Sequence, residues 1–442
     1  MKHIQRIYLL LIALLSVLWL LADTVLSEPY NFFSLRTSLM NYTGIIGIGV
    51  MSIGMMLAIR PAIGENLLGG LDKSYRLHKW LGITALVISI IHWLWAKGPK
   101  WMVGWGWLTR PARKPAAEQT VPLFQFFQSQ RHLAEEVGEW AFYAMVLLIA
   151  LALIKHFPYR YFFKTHRLLA IVYLVLVFHS TVLMKYTYWD HLIAPLMAVL
   201  MAGGTIAALM SLFRQVGAQR QAVGAIEEIQ YHTDNRVLKV VINLKDRWSG
   251  HVAGQFAFLT FNRSEGPHPF TISSAWNEDG KLTFLIKGLG DYTDTLPATL
   301  KAGDLVKVEG PYGRFAFEDN KSRQIWIAGG IGITPFIARM QSLAEQANAR
   351  EIDLFYSTAA PDEDFIAKIQ ASADKAGVRL HILRSDADGR LSADRVCAAV
   401  PAWSSASVWF CGPKNFGKAL RQDLLAKGLS GNDFHQELFD MR

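Results

Sequence analysis

Apolar positions along this chain follow two regimes. Up to about residue 213 they form long runs, near residues 6–22, 42–59, 79–96, 137–154, 166–184 and 192–213. Each is close to the roughly 20 residues a helix needs to cross the hydrocarbon core of a bilayer. From about residue 225 onward, apolar and polar positions alternate over short stretches, as in a soluble domain. Segments 236–244, 254–261 and 281–287 predict strands joined by glycine turns, an antiparallel barrel. From Gln324 the pattern changes to strands at 325–328, 352–356, 378–383 and 408–411, most followed by a segment of helical length, which predicts a parallel sheet. The expected architecture is an all-α six-helix membrane bundle over residues 1–213, a polar linker over 214–223, an antiparallel β-barrel over 224–320 and an α/β parallel-sheet domain over 321–442.

The formal charge of +9 does not change this picture into a nucleic-acid-binding one, because the cations flank apolar runs instead of gathering on one helix or tail. Lys2 and Arg6, then Arg60, Lys73, Arg76 and Lys79, then Lys155, Arg160, Lys164 and Arg167, then Arg214 and Arg220 occupy alternate connections, the bias that marks cytoplasmic segments. Six spans return the chain to its starting side, so the N-terminus and the soluble half are expected in the cytoplasm. Lys97, Lys100, Arg110, Arg113 and Lys114 break the pattern in the outward connection 97–136. That connection also holds Trp101, Trp105, Trp107, Phe124, Phe126 and Phe127, which suit a belt on the headgroups or a lid over an acceptor. The first span also has the charge-then-apolar form of a signal peptide, but without a clear A-x-A site it is read as a retained helix. The two cysteines, Cys397 and Cys411, both lie in the soluble half, so no disulfide framework is expected.

Chemistry enters with the histidines. Of thirteen, His78 and His92 belong to one predicted span and His166 and His179 to another. Ionisable groups at membrane depth usually mark function. Neutral imidazole is a common axial ligand of haem iron, so two helices with two histidines each suit two bis-histidine haems. The first pair is separated by about 21 Å of helical rise and the second by about 19.5 Å, so the depths match. On an ideal helix, His166 and His179 fall some 140° out of phase. Either a π-bulge between them or approach to that helix from different sides is required.

The soluble half carries four segments of interest. His268, Pro269, Phe270 and Thr271 sit at a strand that can offer a hydroxyl, backbone groups and an apolar face to a flavin. Lys287 leads through a glycine turn to Gly290, Asp291, Tyr292 and Thr293, where a helix start can hold a pyrophosphate. The run Trp326–Phe336 ends a buried strand in Gly329, Gly330 and Gly332, with Thr334 suited to the N-cap and Pro335 to the first helical turn; bare backbone and helix N-terminus then face phosphates. It is not a G-x-G-x-x-G. Cys411, Gly412 and Pro413 close a later strand of the same sheet. Arg384 and Arg390 follow another strand and suit a 2′-phosphate, favouring NADPH while leaving NADH open. Near the C-terminus, Phe439 is placed to cover a flavin face.

Taken together and in this order, the histidine pairs, HPFT, GDYT, GGIGITPF and CGP resemble the ferric reductase and NADPH oxidase superfamily, over nearly the whole chain. The resemblance implies a membrane domain with two b-type haems, His78 pairing with His166 on the inner and His92 with His179 on the outer. It also implies a dehydrogenase with an FAD-binding barrel, contacted by His268–Thr271 and Asp291–Thr293 and shielded by Phe439. Its nicotinamide-cofactor lobe would use Gly329–Pro335 and Cys411–Pro413. Oxidase members often carry a further histidine one turn beyond the outer ligand; here that position is Ala96, and no arginine stands at the outer end of the span 42–59. The expectation is a bacterial inner-membrane enzyme passing electrons to a small-molecule or metal-ion acceptor, ferric iron ahead of dioxygen. The alternatives are a subunit feeding a periplasmic partner and a transporter with a regulatory soluble half. Lipid is the one other partner implied, and oligomeric state is left open.

Overall fold

The computed structural model describes residues 2–23, 31–109, 120–154, 156–345 and 350–437. The chain divides into two compact units, 1–216 and 217–441.

The first unit contains α1 (Lys2–Ala22), α2 (Phe32–Ala58), a short α3 (Ala62–Leu68), α4 (Leu71–Gly104), α5 (Pro122–Leu153), α6 (Tyr159–Leu183) and α7 (Ile193–Leu212). All but α3 are long and apolar enough to cross a membrane, so each of the six expected spans has its helix. The helices outrun their apolar cores. Connection 97–136 is largely helical, with α4 reaching Gly104 and α5 starting at Pro122; Lys97 pairs with Glu139 of α5 at 2.7 Å. Arg110, Arg113, Lys114 and Lys155 lie outside the described residues.

Helix α2 is the inner member: half its apolar window is buried, against 11% for α4. Small residues allow that burial, because helices in lipid associate through close packing. At Gly204 of α7 a Cβ would fall on the Tyr173 hydroxyl and 3.1 Å from the Ser52 Cα, so the two backbones meet only because the side chain is hydrogen. Tyr173 and Ser52 share a buried hydrogen bond of 2.8 Å there. Beyond the end of α1, Asp23 is buried, accepting from Lys185 at 2.8 Å and from Tyr188, which ties α1 to the segment following α6. Burial, then the Asp23 charge, raises the Tyr188 pKa, so the phenol stays a donor.

The second unit holds β1 (Gln221–His232), β2 (Val237–Leu244), β3 (Phe256–Thr260), β4 (His268–Thr271), β5 (Lys281–Lys287), α8 (Asp291–Thr299) and β6 (Leu305–Tyr312). These are followed by β7 (Arg323–Gly329), α9 (Thr334–Ala344), β8 (Glu351–Thr358), α10 (Glu363–Ala376), β9 (Val378–Arg384), α11 (Ser385–Asp388), α12 (Ala393–Ala399), β10 (Ser407–Cys411), α13 (Lys414–Ala426) and β11 (Phe434–Gln436). Strand β1, absent from the sequence reading, begins within the stretch 214–223 expected as linker; its polar residues reflect one solvent-facing side of a strand.

The first six strands form an antiparallel sheet in the order β4-β3-β6-β1-β2-β5. The barrel expectation is corrected here: the sheet is open, its edge strands joined near β4 and β5 by one bridge, Ile272 to Phe284. Alternation along a strand specifies a buried face, not closure of the ladder. The remaining strands form the expected parallel sheet, in the order β11-β10-β7-β8-β9. Its centre is apolar on both faces, with Trp326, Phe336 and Phe410 fully buried.

Two stability outcomes follow. Gly204→Val should destabilise the membrane unit by about 1–3 kcal/mol through overpacking, read as a lower unfolding temperature in detergent. Trp326→Ala should remove about 3–5 kcal/mol from the parallel-sheet lobe, read as earlier loss of tryptophan fluorescence on urea titration.

Candidate functional site

Helix α4 presents His78 and His92, and α6 presents His166 and His179; the fold brings them together in pairs. The ring centres of His78 and His166 are 5.9 Å apart and those of His92 and His179 are 6.4 Å apart. Two imidazoles bound on opposite sides of one metal, each through a bond of about 2 Å, would have ring centres about 6 Å apart. The 140° phase offset is met without a π-helical turn, since α6 is regular α-helix throughout. Instead the two rings leave α6 on different sides: His166 stacks on Phe162, whereas His179 turns to α5.

Three of the four rings are oriented by the chain through Nδ1. His78 donates to the Gly54 carbonyl at 2.9 Å, and His179 to the Ala134 carbonyl at 2.7 Å. His92 donates to Thr43 Oγ1 at 2.9 Å, the threonine hydrogen being committed to the Leu39 carbonyl. Such bonds fix the tautomer that leaves Nε2 as the ligating nitrogen. His166 Nδ1 is buried and has no hydrogen-bond partner among the described residues. Gly138 of α5 is a spatial requirement of the His179 position, since a Cβ there would lie within the imidazole. Among the described residues, no group of three or more His, Cys, Asp or Glu is assembled that would hold a metal ion. Two nitrogens are too few for a bare ion, but His78 with His166, and His92 with His179, would each supply the two imidazole nitrogens that haem iron takes from a protein. The donor set therefore fits haem.

Sequence reading missed one cation here. Because α2 extends beyond the span 42–59, Arg36 stands on it, at the end expected to face outward, correcting the expectation of no arginine there. Its Nε donates to the Trp95 carbonyl at 3.0 Å, and its charge acts on both His92 and Glu135. Its position outside the apolar run hid it.

In the antiparallel sheet, the two segments expected at the flavin meet where the sheet edges approach. His268, first residue of β4, stacks on Tyr292 of α8 at 4.4 Å between ring centres. Pro269, Phe270 and Thr271 complete β4, and Lys287 ends β5. Gly290 is the N-cap of α8, and Thr293 Oγ1 accepts from the Leu289 N–H and donates to the Gly290 carbonyl. The first turn already carries Asp291 and Asp294, the latter paired with Arg236 at 2.6 Å, so Arg236 is the cation at this end that sequence reading did not name. The Tyr292 hydroxyl is buried without a hydrogen-bond partner among the described residues, and burial pushes its pKa up to about 12. A neutral phenol awaiting an acceptor beside a stacked imidazole fits a flavin.

In the parallel sheet, strand order reverses between β7 and β10, the place where such sheets bind ligands. Gly329 ends β7 and Cys411 ends β10. A Cβ on Gly329 would approach Pro413 Cδ to 2.7 Å, and one on Gly332 would strike the Cys411 carbonyl, so GGIGITPF and CGP form one surface. Gly330 is left-handed, at φ 55°, and its Cβ direction is open. Thr334 is not the N-cap. A 3₁₀ turn over Gly330–Ile333 precedes α9, which makes Ile333 the cap and leaves Thr334 Oγ1 donating to the Ile331 carbonyl at 3.1 Å. Gly412 and Pro413 lead into α13. Burial, with the Glu437 charge added, raises the Cys411 pKa well above the ordinary thiol value, so it remains a thiol. Glu437, itself buried, is a neighbour that sequence reading passed over; no local pattern marks a carboxylate brought in from the far end of the chain. Phe439 lies outside the described residues.

Comparison with known proteins gives a match to the ferric reductase like transmembrane component over residues 43–177 and to an FAD-binding domain over residues 225–316. The toluate 1,2-dioxygenase electron transfer component of Pseudomonas putida is 26% identical over 42% of this chain and 58% of its own length. The respiratory burst oxidase homolog protein E of Arabidopsis thaliana is 28% identical over 44% of this chain and 23% of its own. Among solved structures, the Amycolatopsis cytochrome P450 reductase GcoB aligns with a TM-score of 0.45 at 24% identity, over 50% of this chain and 70% of that one. This chain thus spans only about a quarter to three-fifths of the two curated relatives' lengths.

His251 and His268 both have pKa values lowered mainly by burial. The unfolded chain then takes up protons first, so their stability contribution is present above about pH 6.5 and is lost as pH falls through the folded values. Unfolding temperature should therefore drop between pH 7.5 and 5.5, and less steeply in His251→Asn; equal slopes in a pH series of melts would refute this.

Proposed function

We propose that this chain, a member of the ferric reductase and NADPH oxidase superfamily, carries electrons from a reduced nicotinamide dinucleotide through FAD and two b-type haems to an acceptor on the far side of a bacterial inner membrane. It is an NAD(P)H-dependent membrane oxidoreductase. Bound FAD would convert a two-electron hydride into single electrons, and bound haems would move them across the bilayer.

The observation that carries the reading is the pair of imidazole pairs, each with two protein nitrogens and, among the described residues, no third ligand assembled. His78 and His166 would hold the inner haem, His92 and His179 the outer. Gly54, Thr43 and Ala134 keep three of these rings turned the right way. His268–Thr271, Lys287, Gly290, Asp291, Tyr292 and Thr293, with Phe439, would line the flavin. Gly329, Gly330, Gly332, Thr334, Pro335, Cys411, Gly412 and Pro413 would bound the nicotinamide cofactor, with the thiol of Cys411 kept neutral and dry and Glu437 beside it. The basic connections at alternate ends support a cytoplasmic N-terminus and dehydrogenase.

Ferric iron, offered as an anionic chelate, is the favoured acceptor, because Ala96 lacks the extra histidine common in oxidases. Arg36 beside the outer pair favours a second reading, dioxygen, since a fixed cation stabilises a forming superoxide anion. Stopped-flow reoxidation of reduced haem should be faster with ferric citrate than with oxygen, and the reverse order would select the second reading. His92→Ala should lose the outer haem while keeping FAD, read from the Soret band and flavin absorbance; unchanged haem content would refute the ligand assignment.

A further inference from the structure

The parallel sheet carries an acid–base pair that the reading above leaves unused. Arg384, the last residue of β9, directs Nη2 at both carboxylate oxygens of Glu363, 2.9 Å each, and Nε at one of them, 3.3 Å. Its backbone N–H donates to Asp388 Oδ2 at 2.8 Å, so the strand end is fixed as well as the side chain. Glu363 is the first residue of α10, which follows β8.

The place of this pair gives it meaning. The strand order reverses between β7 and β10, where Gly329 and Gly330 meet Cys411 and Gly412. On the other side of β7 lie the ends of β8 and β9, where Ser357 Oγ and Ser385 Oγ are 3.5 Å apart. A dinucleotide bound across that switch point with its nicotinamide toward Cys411 would extend its adenosine half toward those ends. A ribose 2′-hydroxyl there requires an acceptor, and a 2′-phosphate requires a cation. This chain supplies both, bonded to each other. A 2′-hydroxyl can donate to Glu363 with the pair intact, because an ionised carboxylate has about four acceptor sites. A 2′-phosphate meets a guanidinium whose Nε and Nη2 are already engaged, with a carboxylate charge beside the Nη1 donors that are left.

We propose that Glu363 sets the dinucleotide preference of this protein by engaging Arg384 and setting its own negative charge against a 2′-phosphate, so that NADH is taken in preference to NADPH. The proposal rests on the reading of this lobe as the dinucleotide site, and it reverses the preference that Arg384 and Arg390 suggest when read from sequence alone. Both partners are partly exposed, 42% for Arg384 and 69% for Glu363, so solvent screens the repulsion and its size is roughly fivefold in affinity, not several orders of magnitude.

The test uses the full FAD-loaded chain in detergent. Half-saturation of flavin reduction by NADH and by NADPH, and calorimetric binding of 2′-AMP and 5′-AMP, are compared for the natural protein, Glu363→Gln, Glu363→Asp and Glu363→Gln/Arg384→Ala. Glu363→Gln should bind 2′-AMP and NADPH about fivefold more tightly, and 5′-AMP and NADH somewhat less tightly, because their 2′-hydroxyl then donates to a neutral acceptor. Glu363→Asp should retain the natural preference, and the double variant should lose the gain. An unchanged NADPH-to-NADH ratio in Glu363→Gln, with the natural flavin readily reduced, would overturn the role of Glu363 alone. A natural flavin that neither dinucleotide reduces would overturn the dinucleotide reading and the proposal with it.

Discussion

An imidazole in hydrocarbon needs a hydrogen-bond partner for one ring nitrogen before the other can be presented as a ligand in a single tautomer. The membrane unit meets that constraint at three of its four paired rings. Gly54, Thr43 and Ala134 each accept from one Nδ1, and two of these acceptors are backbone carbonyls inside helices. The bonds hold rings from α4 and α6 at ring-centre separations of 5.9 and 6.4 Å, at two levels of the bundle. Helix packing serves the same end: α5 carries glycine where the His179 ring passes, and α7 carries glycine where α2 must come close. An unpaired imidazole in that setting would be costly, which is why the orienting atoms matter as much as the ligands.

The soluble unit solves a different problem, that of bringing bare backbone to a ligand. Between β7 and β10, glycines remove the side chains that would keep two loops apart, and GGIGITPF and CGP become a single surface. The antiparallel sheet achieves its juxtaposition by curling, so that β4 and the start of α8 meet through His268 and Tyr292 without a closed ladder. In both sheets the neighbouring polar groups are few and placed: a neutral thiol beside Glu437, an unpartnered phenol, and an arginine bound by Glu363.

The two units are also unlike in what surrounds them. Leucines of α1 such as Leu9, Leu10 and Leu21 are more than 60% exposed, which is stable only in lipid, whereas the parallel-sheet lobe fully buries Trp326, Phe336 and Phe410. One sequence thus carries a helical half whose backbone needs no partner from solvent and a sheet half built for water.

Much of this was legible in the residues themselves. Runs of membrane-spanning length, the change to alternation near residue 225, the histidines at matching depths and the glycine-rich strand end are local signals, because helix rise, strand period and backbone freedom act over a few neighbours. The tertiary structure decided what depends on residues far apart. It showed that α6 needs no π-bulge, that the sheet is open, that Thr334 follows a 3₁₀ turn, and that Arg36 stands by His92 although it lies outside the apolar run. It also joined Arg384 to Glu363 and Glu437 to Cys411. Sequence alone determined which chemistries the chain can offer and where along it; only folding determined which of those groups face each other, since hydrogen bonds and charge pairs are set by distance in space.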